Sequence, residues 1–228
     1  VTIVGEEAYP PYERPALSKR VLTGEDDPDS TYVHKPAYYD EHQIELKLGV
    51  SAMTIDRSTK SVSLSNGTSL DYTKLMIATG SQLRRLSLPG SDLAGIHYLR
   101  GIDDSLMIRA KLSAGAKIVV VGGGYIGLEV AAAARKCDCQ VTVIEMMNQL
   151  LNRAAAPEIG TIFETIHRSH GIEILTNTPV TGFEGNGHVQ RVLCGDLKPI
   201  DADLVIVGIG ILPNVELASA VNLATDNG

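Results

Sequence analysis

The sequence predicts an α/β chain of two similar parallel-sheet domains, the first of them incomplete. Three observations carry this. Residues 117–145 run strand, glycine-rich turn, helix, strand and terminal acid. The two halves of the chain repeat one layout. The first half holds no counterpart of residues 117–140, so the sequence is expected to be a piece of a longer protein, lacking both ends.

The elements follow in order. The first is the strand in "VTIVG", Val1–Gly5, which ends on the acids Glu6 and Glu7. In "PPYERPALSK", Pro10–Lys19, three prolines fix φ and remove donors, so Arg14 and Lys19 hang from stiffened backbone. The run "IELKLGVSAMTIDRSTKSVSLSNGTSLDYTKLMIATG" reads as a strand leading into alternating strands around the turn Asn66-Gly67. Asp71 then precedes a buried strand ending at Gly80.

The most informative run is "KIVVVGGGYIGLEVAAAARKCDCQVTVIE", Lys117–Glu145. Gly122 permits a tight turn, Gly124 lets backbone approach a pyrophosphate, and Gly127 lets the helix pack on the strand. The helix N-terminus offers unpaired N–H groups and a positive dipole end to the phosphates. Glu145 stands 18 residues after Gly127, where a carboxylate accepts both ribose hydroxyls and repels a 2′-phosphate. NAD(H) is therefore favoured over NADP(H).

The second half then echoes the first. "VTVIEMM" resembles "VTIVGEE", and "IEILTNTPVTGFEGNGHVQRVLCGDLKPIDADLVIVGIG" repeats the earlier layout with Asn186-Gly187, Asp201 and a buried strand ending at Gly210. Two Rossmann-like dinucleotide-binding domains follow.

Composition allows this and excludes other classes. The 228 residues are 44% hydrophobic and 21% charged, enough for one large or two modest domains. The net charge of −7 is spread through mixed acids and bases, so no nucleic-acid partner is expected. No apolar run approaches the ~20 residues of a membrane span, and no membrane association is expected. Cys137, Cys139 and Cys194 are odd in number and lack CxxC spacing, which points to a reducing, cytoplasmic compartment. No metal is expected: His167 and His170 share a helix face without a ligand-spaced partner and read as surface residues at a helix end. Cys137 and Cys139 read as packing.

Nearly the whole chain resembles the FAD-dependent pyridine nucleotide-disulphide oxidoreductase superfamily, in its ferredoxin reductase branch of putidaredoxin, rhodocoxin and rubredoxin reductases. The resemblance is carried by "VTIVGEEAYPPYERPALSK", "MIATG", "IHYLR", "VVVGGGYIGLEVAAAARK" and "ADLVIVGIGILPNVELASA". The first and fourth are specific to this branch, whereas "ATG" is shared by many flavoproteins with two dinucleotides. It implies a glutathione-reductase-like fold. Residues 1–100 would form an FAD-binding domain without its opening strand, glycine loop and helix. Residues 101–213 would be an inserted NAD(H)-binding domain, and 214–228 the start of the return.

The same resemblance places residues. Lys19 would lie near flavin N5, where a cation favours the anionic hydroquinone that hydride uptake creates. Glu129 would meet the nicotinamide and pair with Lys19; these two are the implied catalytic residues. The bland readings are a surface lysine and an ordinary helix-face acid. Arg14 would help with the phosphates or ring edge, or is a solvated surface charge. Glu6 would hold the FAD ribose as Glu145 holds that of NAD, with Glu7 exchanged for it by a one-residue register shift. Ala52 marks a backbone contact at the adenine and Arg100 a flavin-nucleotide phosphate contact. Thr79 and Gly80 would pass close to the cofactor. Gly122, Gly124, Tyr125, Ile126 and Gly127 would line NAD, with Gly208 and Gly210 completing the cofactor-binding set.

The cysteines choose among reductases. Relatives that reduce disulfides, or peroxide through a sulfenate, carry a redox cysteine shortly after the second FAD strand, and none occurs between Val1 and Lys136. Cys137-x-Cys139 has the wrong spacing for a thioredoxin-reductase-type CxxC. The implied function is an NADH-dependent FAD reductase feeding a small iron–sulfur partner, a ferredoxin or rubredoxin, of an oxygenase. Two alternatives stay open: a flavin NADH oxidase or nitrite-reductase-type component, and a redox-sensing flavoprotein of the apoptosis-inducing-factor kind. A single-domain dehydrogenase is disfavoured, because no Tyr-x-x-x-Lys occurs.

Two outcomes are expected. The full-length protein prefers NADH, and Glu145→Ala narrows that preference by about 1–3 kcal/mol; comparable kcat/KM for NADPH and NADH in the parent overturns this. Residues 1–228 expressed alone bind NADH weakly and purify colourless, with a protease-resistant core near 101–213. Recovery of the chain with stoichiometric, tightly held FAD contradicts that expectation.

Overall fold

The computed structural model describes residues 1–227. It contains two compact units: Val1–Glu13 with Asp29–Gln82 and the chain from Ile211 onward, and Arg14–Pro28 with Leu83–Gly210. These units are defined by packing. They cut the chain at other points than the expected cofactor domains 1–100, 101–213 and 214–228.

In the second unit, five parallel strands form one sheet in the order Glu173–Leu175, Gln140–Ile144, Lys117–Val121, Leu204–Val207, Ile96–Tyr98. The central strands are unbroken apolar runs. Ile118–Val121 and Leu204–Val207 bury every side chain, as a parallel sheet covered on both faces demands. Each such Val or Ile contributes about 1.5–3 kcal/mol by leaving water. Helix Tyr125–Lys136 buries Leu128, Val130, Ala131, Ala133 and Ala134. A three-stranded antiparallel sheet, Gly182–Gly185, Val189–Leu193 and Ile200–Asp201, packs Phe183, Val189 and Val192 into a core with Val119 and Val205.

The segment Arg14–Pro28 belongs to this unit because Leu17, Val21 and Leu22 are buried. Ser105, in helix Ile102–Arg109, also donates to the Leu17 carbonyl at 2.7 Å.

The first unit pairs Thr2–Gly5 with Glu45–Leu48 in parallel. It also carries a three-stranded antiparallel sheet, Ala52–Asp56, Ser61–Leu64 and Ser69–Asp71. The expected repeat is visible here, since each unit has such a sheet. Its two Asn-Gly turns, however, are not equivalent. Asn66-Gly67 joins the second and third strands of one sheet, and Asn186-Gly187 joins the first and second of the other. The first sheet makes that earlier turn with Ser58, Thr59 and Lys60, and Asp56 accepts the Ser58 and Thr59 N–H groups at 2.8 and 3.1 Å. Hydrogen bonds from Ser58 and Thr59 hold the Asp56 carboxyl down at about 2.

The buried strand expected to end at Gly80 is absent. Residues 73–80 belong to no strand, and Met76 is 87% exposed. A parallel strand is held by neighbours: Leu204–Val207 lies between Lys117–Val121 and Ile96–Tyr98, whereas residues 73–80 pair with no strand among the described residues.

Helix-to-strand contact in the second unit depends on Gly127, where a Cβ would stand 2.1 Å from the Gly122 carbonyl oxygen. Gly127→Ala is therefore expected to cost about 1–3 kcal/mol by overpacking and to lower the thermal unfolding midpoint by several degrees. An unchanged midpoint means that helix and loop part without cost.

Candidate functional site

The glycine loop leaves the carboxyl end of Lys117–Val121, where the sheet order reverses and crevices for ligands form. Gly122 turns at φ 110° and donates to the Ile144 carbonyl at 2.8 Å. A Cβ on Gly122 would stand 2.4 Å from the Gly208 carbonyl oxygen, while Gly208 donates to the Val121 carbonyl at 2.8 Å. Gly124 has open space where its Cβ would be, which is the room a pyrophosphate needs against bare backbone. It precedes helix Tyr125–Lys136 without a side-chain cap and with no acid in the first turn. The first N–H groups and the positive dipole end therefore remain available to an anion. Tyr125 and Ile126 stand exposed at this end. Gly210 lies further on, with its carbonyl accepting the Arg84 N–H at 3.0 Å.

Glu145 does more than end its strand. One carboxylate oxygen accepts the Gly123 N–H at 2.7 Å and the other the Met147 N–H at 2.8 Å. Bonds to a charged acceptor contribute about 1.5–3 kcal/mol each, so this acid braces the glycine loop. Each oxygen keeps a lone pair for a ribose hydroxyl.

A second charged group lies elsewhere in the same unit. Lys19 Nζ sits 2.8 Å from Glu129 Oε2, with side chains 47% and 29% exposed. A pair this open contributes only about 0–1 kcal/mol to stability; what it fixes is position. The Lys19 ammonium also donates to the Pro15 carbonyl at 3.0 Å. Buried Ser18, which sequence reasoning missed, donates to Glu129 Oε2 at 2.5 Å. Nearby, Arg14 donates to the Arg100 carbonyl at 2.7 Å. Asp104 accepts the N–H groups of Arg100 and Gly101, both at 2.8 Å. Asp104 also went unread, although an acid three residues past Gly101 at a helix start is a signal that could have found it; Ser18 carried no such signal.

In the first unit, Glu6 is exposed just past its strand, and Glu7 accepts the Tyr12 hydroxyl. The proline-rich loop is pinned as its composition suggested: Glu13 donates to the Thr31 carbonyl and Val33 to that of Pro11, both at 2.9 Å. Ala52 opens its strand half-buried. Thr79 and Gly80 are tied to Asn214. The Asn214 amide side chain donates to Thr79 O at 3.0 Å, its N–H to Gly80 O at 2.9 Å, and the Thr79 hydroxyl to Asn214 O at 2.5 Å.

His167 departs from expectation. It is buried, with one ring nitrogen 2.8 Å from the Phe163 carbonyl oxygen and the other 3.3 Å from that of Leu128. Its helix faces inward at that turn, while Ile159, Ile162 and Ile166 point outward. Burial pushes the thiols of Cys137, Cys139 and Cys194 up, so none is primed as a thiolate. Among the described residues, no group of three or more His, Cys, Asp or Glu could hold a metal, and no helix is long and apolar enough to cross a membrane.

A sheet with a glycine loop at its reversal point and a bracing acid beyond it defines a dinucleotide-binding α/β protein. Residues 1–228 match the family model of pyridine nucleotide-disulphide oxidoreductases, and the chain belongs to that family. It is 39% identical to rhodocoxin reductase of Rhodococcus erythropolis over 229 residues and 41% identical to putidaredoxin reductase of Pseudomonas putida over 234. Those alignments take in all of this chain and 54% and 56% of the two relatives, so it spans about half their length. Among solved structures, a chain of the covalent putidaredoxin reductase–putidaredoxin complex superimposes with a TM-score of 0.95 at 41% identity. That match covers 100% of this chain and 56% of the other.

The brace is open to measurement. Glu145→Ala removes the acceptor of two N–H groups, so the Gly123 amide is expected to exchange hydrogen with solvent about 10-fold faster or more, given about 1.5–3 kcal/mol per bond. Unchanged exchange at Gly123 shows that the loop holds itself.

Proposed function

We propose that the protein is an NADH-dependent flavoprotein reductase, passing electrons from NADH through FAD to a ferredoxin or rubredoxin of an oxygenase system. The observation that carries this reading is the Lys19–Glu129 pair, two charges from distant parts of the sequence held at 2.8 Å in the unit that owns the glycine loop. The relatives' names support it too, since rubredoxin-NAD(+) reductase and the ferredoxin–NAD(+) reductase component of anthranilate 1,2-dioxygenase align over the whole chain at 37% and 41% identity.

The residue roles follow from that reading. In the second unit, the loop Gly122–Gly127 and the helix start at Tyr125 and Ile126 hold the NAD pyrophosphate, Gly208 and Gly210 line the same cofactor, and Glu145 takes its ribose. Lys19 provides a fixed cation for hydride uptake, Glu129 holds that cation and faces the nicotinamide, and Arg14 and Arg100 meet FAD phosphate. In the first unit, Glu6 takes the FAD ribose, with Ala52, Thr79 and Gly80 beside that cofactor. Residues 101–213 form the inserted NAD(H) domain, between FAD-domain segments 1–100 and 214–228.

FAD supplies the conversion of one two-electron hydride into two single electrons, which one-electron iron–sulfur carriers need. Burial raises all three thiols, in keeping with direct transfer rather than transfer through a cysteine relay. Three free cysteines suit a reducing cytoplasm.

In the full-length protein, Lys19→Ala is expected to slow hydride transfer about 10- to 100-fold in stopped flow, below the loss seen for a fully enclosed donor, with NADH affinity nearly unchanged. Equal reduction rates return Lys19 to the role of a surface charge. Reduction of a purified ferredoxin or rubredoxin should outpace NADH oxidation by oxygen; fast turnover without a protein acceptor would mark an oxidase instead.

A further inference from the structure

Ser18 and Lys19 are consecutive donors that share the same two acceptors. Ser18 Oγ lies 2.5 Å from Glu129 Oε2 and 3.3 Å from the Pro15 carbonyl oxygen. Lys19 Nζ lies 2.8 Å from that carboxylate oxygen and 3.0 Å from that carbonyl. The four groups close a ring. Lys19 alone is held weakly, because its side chain is 47% exposed and four rotatable bonds lead to the ammonium. Ser18 is different: it is 1% exposed and has one rotor, so its hydroxyl is a fixed point from which the carboxylate is set.

A serine hydroxyl carries one hydrogen. The shorter contact and the charge of the acceptor direct it to Glu129, and the ammonium then bridges carboxylate and carbonyl with a further hydrogen free to point outward.

We propose that Ser18 is a positioning residue, which acts by holding the Glu129 carboxylate and, through it, the place of the Lys19 ammonium. The inference rests on the reductase reading above, in which Lys19 provides the cation for hydride uptake. Without the Ser18 hydroxyl, Glu129 turns with its own side-chain freedom and the ammonium follows, so the cation is present but no longer preorganised. A fixed cation makes a flavin easier to reduce. Its loosening therefore moves the flavin midpoint potential to more negative values and slows hydride transfer.

The test uses full-length flavin-loaded protein in four forms: parent, Ser18→Ala, Ser18→Thr and Ser105→Ala. Ser105 is the control, since its buried hydroxyl also anchors this segment, at the Leu17 carbonyl 2.7 Å away, without reaching Glu129. Expected for Ser18→Ala is a roughly 10-fold slower hydride transfer at saturating NADH and a more negative flavin potential. Both should be restored in Ser18→Thr and parent-like in Ser105→Ala. The same loss in Ser105→Ala shows only a loosened segment and overturns the proposal, as does a parent-like potential in Ser18→Ala. Lys19→Ala separates the two levels. If it slows transfer while Ser18→Ala does not, the Ser18 inference fails and the reductase reading stands. If Lys19→Ala transfers at the parent rate, Lys19 is not the cation for hydride uptake and the Ser18 inference falls with that role.

Discussion

The second unit is organised around a place where three stretches of backbone meet with no room for a side chain. Gly122, Gly127 and Gly208 lie so close that a single Cβ on either of the first two would strike a carbonyl oxygen at 2.4 or 2.1 Å. That crowding follows from the sheet order. Because Lys117–Val121 and Leu204–Val207 are adjacent and parallel, their exits converge at one edge, and the helix after the glycine loop must start there as well. The hydrophobic term drives the strands together, but contact at the exits decides whether the helix N-terminus is presented as bare donors. Glu145 completes the arrangement by bonding the Gly123 amide, so an acid just past the neighbouring strand sets the loop's shape.

The two charged features of this unit work by different physics. The glycine loop relies on fixed partial charges, backbone N–H groups that need no side-chain ordering to act. The Lys19 group relies on full charges on flexible side chains, which are worth little as a surface pair and gain value only when something else restrains them. Ser18, buried beside Leu17, supplies the restraint. The proline-rich stretch is therefore read best as two halves. Residues up to Glu13 are pinned by backbone bonds to Thr31 and Val33, and from Arg14 the chain anchors through buried Leu17, Val21 and Leu22.

Legibility in sequence followed the range of the governing force. Gly122, Gly124, Gly127 and Glu145 could be read because each answers a local demand within one strand–helix–strand run. Residues 73–80 could not. Leu75, Met76 and Ile77 form an apolar run as Leu204–Val207 does, but burial comes from neighbouring strands, and composition does not say whether any are there. The two Asn-Gly turns misled for a related reason: the dipeptide specifies a hairpin without saying which hairpin of the sheet it closes. His167 was misread because its helix is amphipathic in the unusual sense, with three isoleucines outward and the histidine inward between carbonyls.

Ser18 marks the limit of such reading. Nothing in "PALSK" distinguishes a serine that fills space from one that holds a carboxylate 111 positions away. The same holds for Asn214, whose bonds to Thr79 cross 135 positions. Both residues secure members of the expected site, Glu129 in one case and Thr79 and Gly80 in the other, without belonging to the expected set themselves. Residues of that kind are chosen by geometry, since any small donor in the right place serves, and so they leave no fixed spacing behind. Motifs record what must touch a ligand's phosphates and sugars. The groups that keep those residues still are found only when distant segments are brought together.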